Sequence, residues 1–152
     1  MSSQEEEERR KAEARARISE EIASLQKSLD DFLKIKEKLV KQKDELDNFK
    51  TQFTNQFNEC CEGFNNISNS FGNISYSEKS QDSSISILKK INQNTANYIS
   101  DTTKEMDEPK NQLDNKIMCK EDEINEEIFR TDKKIEDIKS KIASLQSQLN
   151  AL

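Results

Sequence analysis

Two adjacent cysteines stand at Cys60 and Cys61, a third at Cys119, and no histidine occurs in the 152 residues. These side chains are the best suited to metal or nucleophile chemistry, and their arrangement points to neither. A structural zinc site takes four Cys or His ligands in closely spaced pairs, and the chain has no Cys-x-x-Cys. An odd cysteine count builds no disulfide framework. Unpaired cysteine otherwise behaves as a small apolar residue, so Cys60 and Cys61 read as packing positions. Asp and Glu number 30, but they are scattered through Lys-rich text, where carboxylates solubilise a helix face rather than act as acid and base. There is no Gly-rich phosphate loop and no nucleophile beside an evident base. The expectation is a non-enzymatic protein with no cofactor and no metal.

A second kind of chemistry, the docking of another protein, has better candidates. The stretch "GFNNISNSFGNISYS", residues 63–77, contains no charged residue and carries Phe64, Ile67, Phe71, Ile74 and Tyr76 among Asn and Ser. The segment "SISILKKINQNTANYIS", residues 84–100, is also poor in charge. An uncharged, aromatic-bearing surface docks a partner without stripping water from ions. Ile99, Met118 and Phe129, with Leu33 and Val40, flank the main apolar seam and supply a second face. Together they predict association with a further helical chain, as a homo-oligomer or a hetero-oligomer.

Helices must position these residues. Charged residues make up 36% of the chain against 32% hydrophobic, with 2 Gly and 1 Pro, a profile shared by disordered chains and by long helices with a narrow seam. Periodicity decides for helices. Apolar positions alternate three and four apart through Ile18, Ile22, Leu25, Leu29 and Phe32. A short step, resembling a stammer, leads to Ile35 and Leu39. The seam continues through Gln42, Leu46, Phe49, Phe53, Phe57, Cys60, Phe64, Ile67, Phe71 and Ile74. A second run begins at Ile85 or Leu88 and passes Ile91, Thr95, Tyr98, Thr102, Met106 and Lys110. From Leu113 it proceeds through Ile117, Lys120, Ile124, Ile128, Thr131, Ile135, Ile138, Ile142, Leu145 and Leu149 to Leu152.

Between the runs "SYSEKSQDSS", Ser75–Ser84, is polar, and Asp82, Ser83 or Ser84 suits the N-cap of a following helix. Folding the chain there pairs Ile74 with Leu88, Phe64 with Tyr98, Phe49 with Leu113, Leu39 with Ile124, and Ile22 with Ile142. All these pairs share one centre near residue 82. The repeated "IASLQ" at Ile22 and Ile142 then closes the base. The expected fold is all-α: one domain, a long antiparallel helical hairpin. A charged helical or fraying extension spans 1–17, a first arm 18–74, a turn 75–84 and a second arm 85–152, each arm about 90–100 Å long at 1.5 Å per residue. Pro109, in "MDEPKNQL", predicts a kink or break near 104–109, because proline removes a helical hydrogen bond and clashes one turn back. The second arm is accordingly one kinked helix or two, with Asp107 as a candidate cap.

Net charge of −6 argues against a nucleic-acid binder, which shows a basic face. No apolar run approaches the length that spans a bilayer, and the opening "MSSQEEEERRKAEARAR" has no signal-peptide apolar core. The expectation is a cytoplasmic protein, or one exported without a Sec signal.

The segment "ISEEIASLQKSLDDFLKIKEKLVKQKDEL" resembles the first helix of the YwqH-like family, small helical-hairpin accessory proteins of type VII (ESX) secretion, and "DKKIEDIKSKIASLQSQL" has a similar cadence. Members are associated with LXG-domain toxins. The resemblance implies a helical hairpin that binds the long helical domain of such a toxin and helps its export. The wider group's Trp-x-Gly turn has no counterpart, since the chain lacks Trp, and no site residue is carried over. The reading from a different class is an intracellular coiled-coil scaffold or tether with no export role.

Overall fold

A computed structural model describes residues 3–76 and 83–152. The fold is an all-α helical hairpin: α1, Ser3–Gly72, is the first arm, and α2, Ser83–Glu105, with α3, Asp107–Ala151, is the second. The charged extension is helical from Ser3 and runs without a break into the first arm. Its first turns are held by exposed pairs four apart, Arg10 with Glu6 at 3.2 Å, Lys11 with Glu7 at 3.1 Å and Arg9 with Glu13 at 3.3 Å. Such pairs contribute a few tenths of a kcal/mol each. At the other end, the Asn73 N–H donates to the Asn69 carbonyl at 2.9 Å, and helix stops at Gly72. Asn, Ser and Gly crowd this end, and each favours non-helical backbone. Ile74, expected on the first arm, therefore lies beyond it. Of the expected turn, residues 77–82, and with them Asp82, lie outside the described residues, and α2 has begun by Ser83.

The chain divides into two compact units, Met1–Asp44 with Glu121–Leu152, and Glu45–Lys120. In the first, Ile22 and Leu39 of α1 are buried, as are Ile124, Thr131, Ile135 and Ile142 of α3. Both members of the expected pairs Ile22/Ile142 and Leu39/Ile124 are thus in the core. The stammer is not present. Ile35 is 45% exposed, Gln42 is exposed, and Lys36 and Lys43 take their places as half-buried residues. The seam runs Leu29, Phe32, Lys36, Leu39, Lys43 in unbroken three-four alternation. A lysine fits such a position by laying its alkyl stem on the seam and sending its charge outward. Lys36 Nζ lies 2.7 Å from Asp132 Oδ1, and Lys134 Nζ caps the Phe32 ring at 5.2 Å from its centroid. The ion pair is partly exposed and contributes at most about 1 kcal/mol; its effect is to set register. Antiparallel pairing here has a direct check. Packed helices lie about 8–10 Å apart, so spin labels at Ser24 and Ser144 are expected to report a separation under about 30 Å within one chain. A value near the length of an arm, about 90 Å, would refute the pairing.

In the second unit Pro109 divides the second arm, as expected. Glu105 ends α2, Asp107 starts α3, and Met106 stands between them. The Met106 N–H bonds back to the Thr103 carbonyl at 3.2 Å, and the Met106 carbonyl accepts from Lys110 N–H at 3.2 Å. Met106, not Asp107, thus holds the capping position, which puts Pro109 in the first turn of α3, where its missing N–H costs nothing. Asp107 and Glu108 place negative charge at that helix start, which the helix dipole favours.

Along α2 the seam departs from the expected one: Ala96 is 5% exposed, and Asn92, Ile99 and Thr103 are half-buried. On α1 Cys61 and Ser68 are half-buried in place of Cys60 and Ile67. Phe53, Phe57, Phe71, Met106 and Leu113 are half-buried and Ile117 is buried, as expected. Small residues make the closest approach. Ser68 Oγ donates to the Ala96 carbonyl at 2.8 Å, and a Cβ added to Gly72 would stand 3.9 Å from the Ala96 Cβ. Helices that touch through Ser, Gly and Ala approach too closely to keep bulky side chains between them. Leu88, Ile91 and Tyr98, expected in the seam, are turned outward.

Candidate interaction surface

Outward rotation of the large residues creates an apolar face on the second unit. Tyr98, on α2, is 73% exposed, the most of any large apolar residue among the described residues; Ile91 is 53%, Leu88 50% and Phe64, on α1, 39% exposed. Phe64 and Ile99 meet in a pocket of about 140 Å³, walled also by Tyr98, Thr102, Thr103 and Met106. A shallower depression over Ile91, Asn94 and Thr95 adjoins it and shares Tyr98. These positions recur three and four apart along α2, so they share one side of it. No ionised side chain lines either recess.

Phe71, Ile74 and Tyr76 come together in a separate open groove of about 650 Å³, whose far wall includes Lys89, Lys90 and Asn92. Here the chain beyond α1 is tied to α2: the Asn92 side-chain amide donates to the Tyr76 hydroxyl, and Lys89 Nζ sits 5.4 Å from the Tyr76 ring centroid. This groove mixes amides and two ammonium groups with apolar surface, unlike the pocket.

The eight residues singled out from the sequence therefore fall into separate places. Phe64 and Ile99 share the pocket; Phe71, Ile74 and Tyr76 share the groove. Ile67 is exposed one turn along α1 from Phe64, and Met118 is exposed on α3; neither lines these two recesses. Phe129 belongs to the first unit and is 70% exposed there. Tyr98, Ile91 and Leu88 were missed because their three-four spacing assigns them to the seam. The signal against that assignment is Ala96, a small residue beside them whose phase matches Ser68 and Gly72.

Cys60 and Cys119 are exposed and Cys61 half-buried, all as free thiols. Among the described residues, no three Cys, Asp or Glu side chains are grouped so as to hold a metal. No described helix is long and apolar enough to cross a membrane. The chain matches no protein-family model, no curated protein and no solved structure.

Proposed function

We propose that the protein is a non-enzymatic helical interaction protein, an accessory or targeting partner that binds a helical domain of a type VII-secreted toxin. The observation that carries this reading is the neutral apolar face around Phe64, Ile91 and Tyr98, left open where α1 and α2 meet through the small residues Ser68, Gly72 and Ala96. Exposed patches of this kind mark protein contacts more often than they are left bare, and a helix laid into an apolar groove is a recurrent mode of recognition. The class of partner follows from the resemblance of residues 18–46 and 132–149 to the accessory hairpins.

Co-expression with the helical domain of an LXG-type toxin tests it. The two chains are expected to co-purify, and a Phe64→Glu/Tyr98→Glu double variant is expected to lose the complex, since each change places a charge in an apolar contact. Recovery only of cytosolic filaments or membranes would replace this reading with the intracellular scaffold or tether.

A further inference from the structure

We infer that the pocket between Phe64 and Met106 is an anchor site for one bulky apolar side chain, of leucine or phenylalanine size, presented by the partner helix. The inference rests on reading this face as the interaction surface and adds what the surface selects. Three observations carry it. The first is volume: about 140 Å³, comparable with an apolar cavity of about 150 Å³ that stays dry and takes up benzene. The second is the state of the polar lining. Both threonine hydroxyls in the wall are already committed: Thr102 Oγ1 donates to the Tyr98 carbonyl and Thr103 Oγ1 to the Ile99 carbonyl, each at 2.8 Å. The pocket therefore presents ring, methyl and thioether surface, and no group in it calls for a polar ligand. The third is continuity. Tyr98 is shared with the depression over Ile91 and Thr95, so a helix lying along α2 passes the pocket mouth.

The area suits a helical partner. α2 has 23 residues, about 35 Å of length, and two helices side by side are about 20 Å wide. Their common face is about 700 Å², close to the roughly 800 Å² each partner contributes to a standard interface. Interfaces of that size concentrate their energy in a few side chains sunk in desolvated pockets, and this pocket is a recess of that kind on the face.

The probe is benzene, titrated into the full chain with methyl resonances of Met106, Ile99 and Ile142 followed by NMR. Met106 and Ile99 are expected to shift saturably and Ile142, in the other unit, to stay fixed. Thr102→Leu, at an exposed position in the wall, fills the pocket; it is expected to abolish those shifts and weaken toxin-domain capture at least about tenfold, the loss of one anchor, with unchanged helicity. Tyr98→Ala removes a wall by an independent route and is expected to do the same. Absence of benzene shifts in the unaltered chain overturns the pocket. Full capture by Thr102→Leu overturns the anchor while leaving the wider surface reading intact. Failure of the unaltered chain to capture the toxin domain, with benzene still bound, overturns the proposed function instead. A dimer of the chain alone that Thr102→Leu converts to monomer assigns the pocket to a second copy and overturns the partner helix.

Discussion

Ile135→Asp is expected to leave the first unit unfolded, a loss of more than about 4 kcal/mol. Ile135 is 3% exposed, the lowest value among the described buried residues, and none of the described large side chains falls below 2%. A core of this kind has no second layer to absorb an error. Truncation to Ala alone removes most of an isoleucine side chain and costs about 2–4 kcal/mol. Asp adds a charge with no cationic partner built for it. Domains of this size hold only about 5–15 kcal/mol in total. Helical circular dichroism through a urea titration reads both variants: Ile135→Ala is expected to shift the midpoint and Ile135→Asp to start with much of the signal gone. Phe129→Asp, on the same helix at a 70% exposed position, is expected to stay within about 0.5 kcal/mol of the unaltered chain. Equal effects at Ile135 and Phe129 would mean that the helix is rotated from the seam described.

The contrast between those two residues shows what the sequence could convey. In the first unit Ile22, Leu39, Ile124, Ile135 and Ile142 are large apolar residues in phase with the three-four spacing, and they form the core as expected. The error there is local. Residue type points to Ile35 where phase points to Lys36, and the alkyl stem of a lysine can lie on a seam while a carboxylate such as Asp132 receives its charge. In the second unit the same weighting fails over several turns. Leu88, Ile91 and Tyr98 keep a regular spacing, so periodicity alone gives them to the seam. Periodicity finds an apolar stripe but not what covers it, and a stripe that faces a partner has the same spacing as one that faces the other arm. The distinguishing information lies in the small residues Ser68, Gly72 and Ala96, which mark the line of closest approach. The candidate site was legible in part for the same reason. The charge-free stretch containing Phe64 and Phe71 stands out in composition, whereas Tyr98, its most exposed member, was hidden by a pattern that explained it too well.

Ala96→Leu decides between the two faces. The Ala96 carbonyl accepts from Ser68 Oγ at 2.8 Å, and a Cβ at Gly72 would already stand in van der Waals contact, 3.9 Å, with the Ala96 methyl. A leucine there would meet Ser68 and Gly72 on the facing helix. It must push α2 from α1 or leave its preferred rotamer, at about 1–3 kcal/mol, and separation also breaks the Ser68 bond, worth about 1 kcal/mol. The expected result is a loss of about 2–4 kcal/mol in urea unfolding, against a change within about 0.5 kcal/mol for Asn97→Leu at the exposed neighbouring position. Were the heptad of Ile91 and Tyr98 the true seam, Ala96 would lie off the contact and the enlargement would be nearly neutral. The same variant bears on binding. Phe64 and Tyr98 wall one pocket only while α1 and α2 are in close contact through Ser68, Gly72 and Ala96. Forcing the helices apart spreads those walls, so Ala96→Leu is expected to weaken benzene uptake at Met106 although Ala96 does not line the pocket. Loss of stability with uptake intact would separate the packing line from the pocket and show that the pocket does not depend on it.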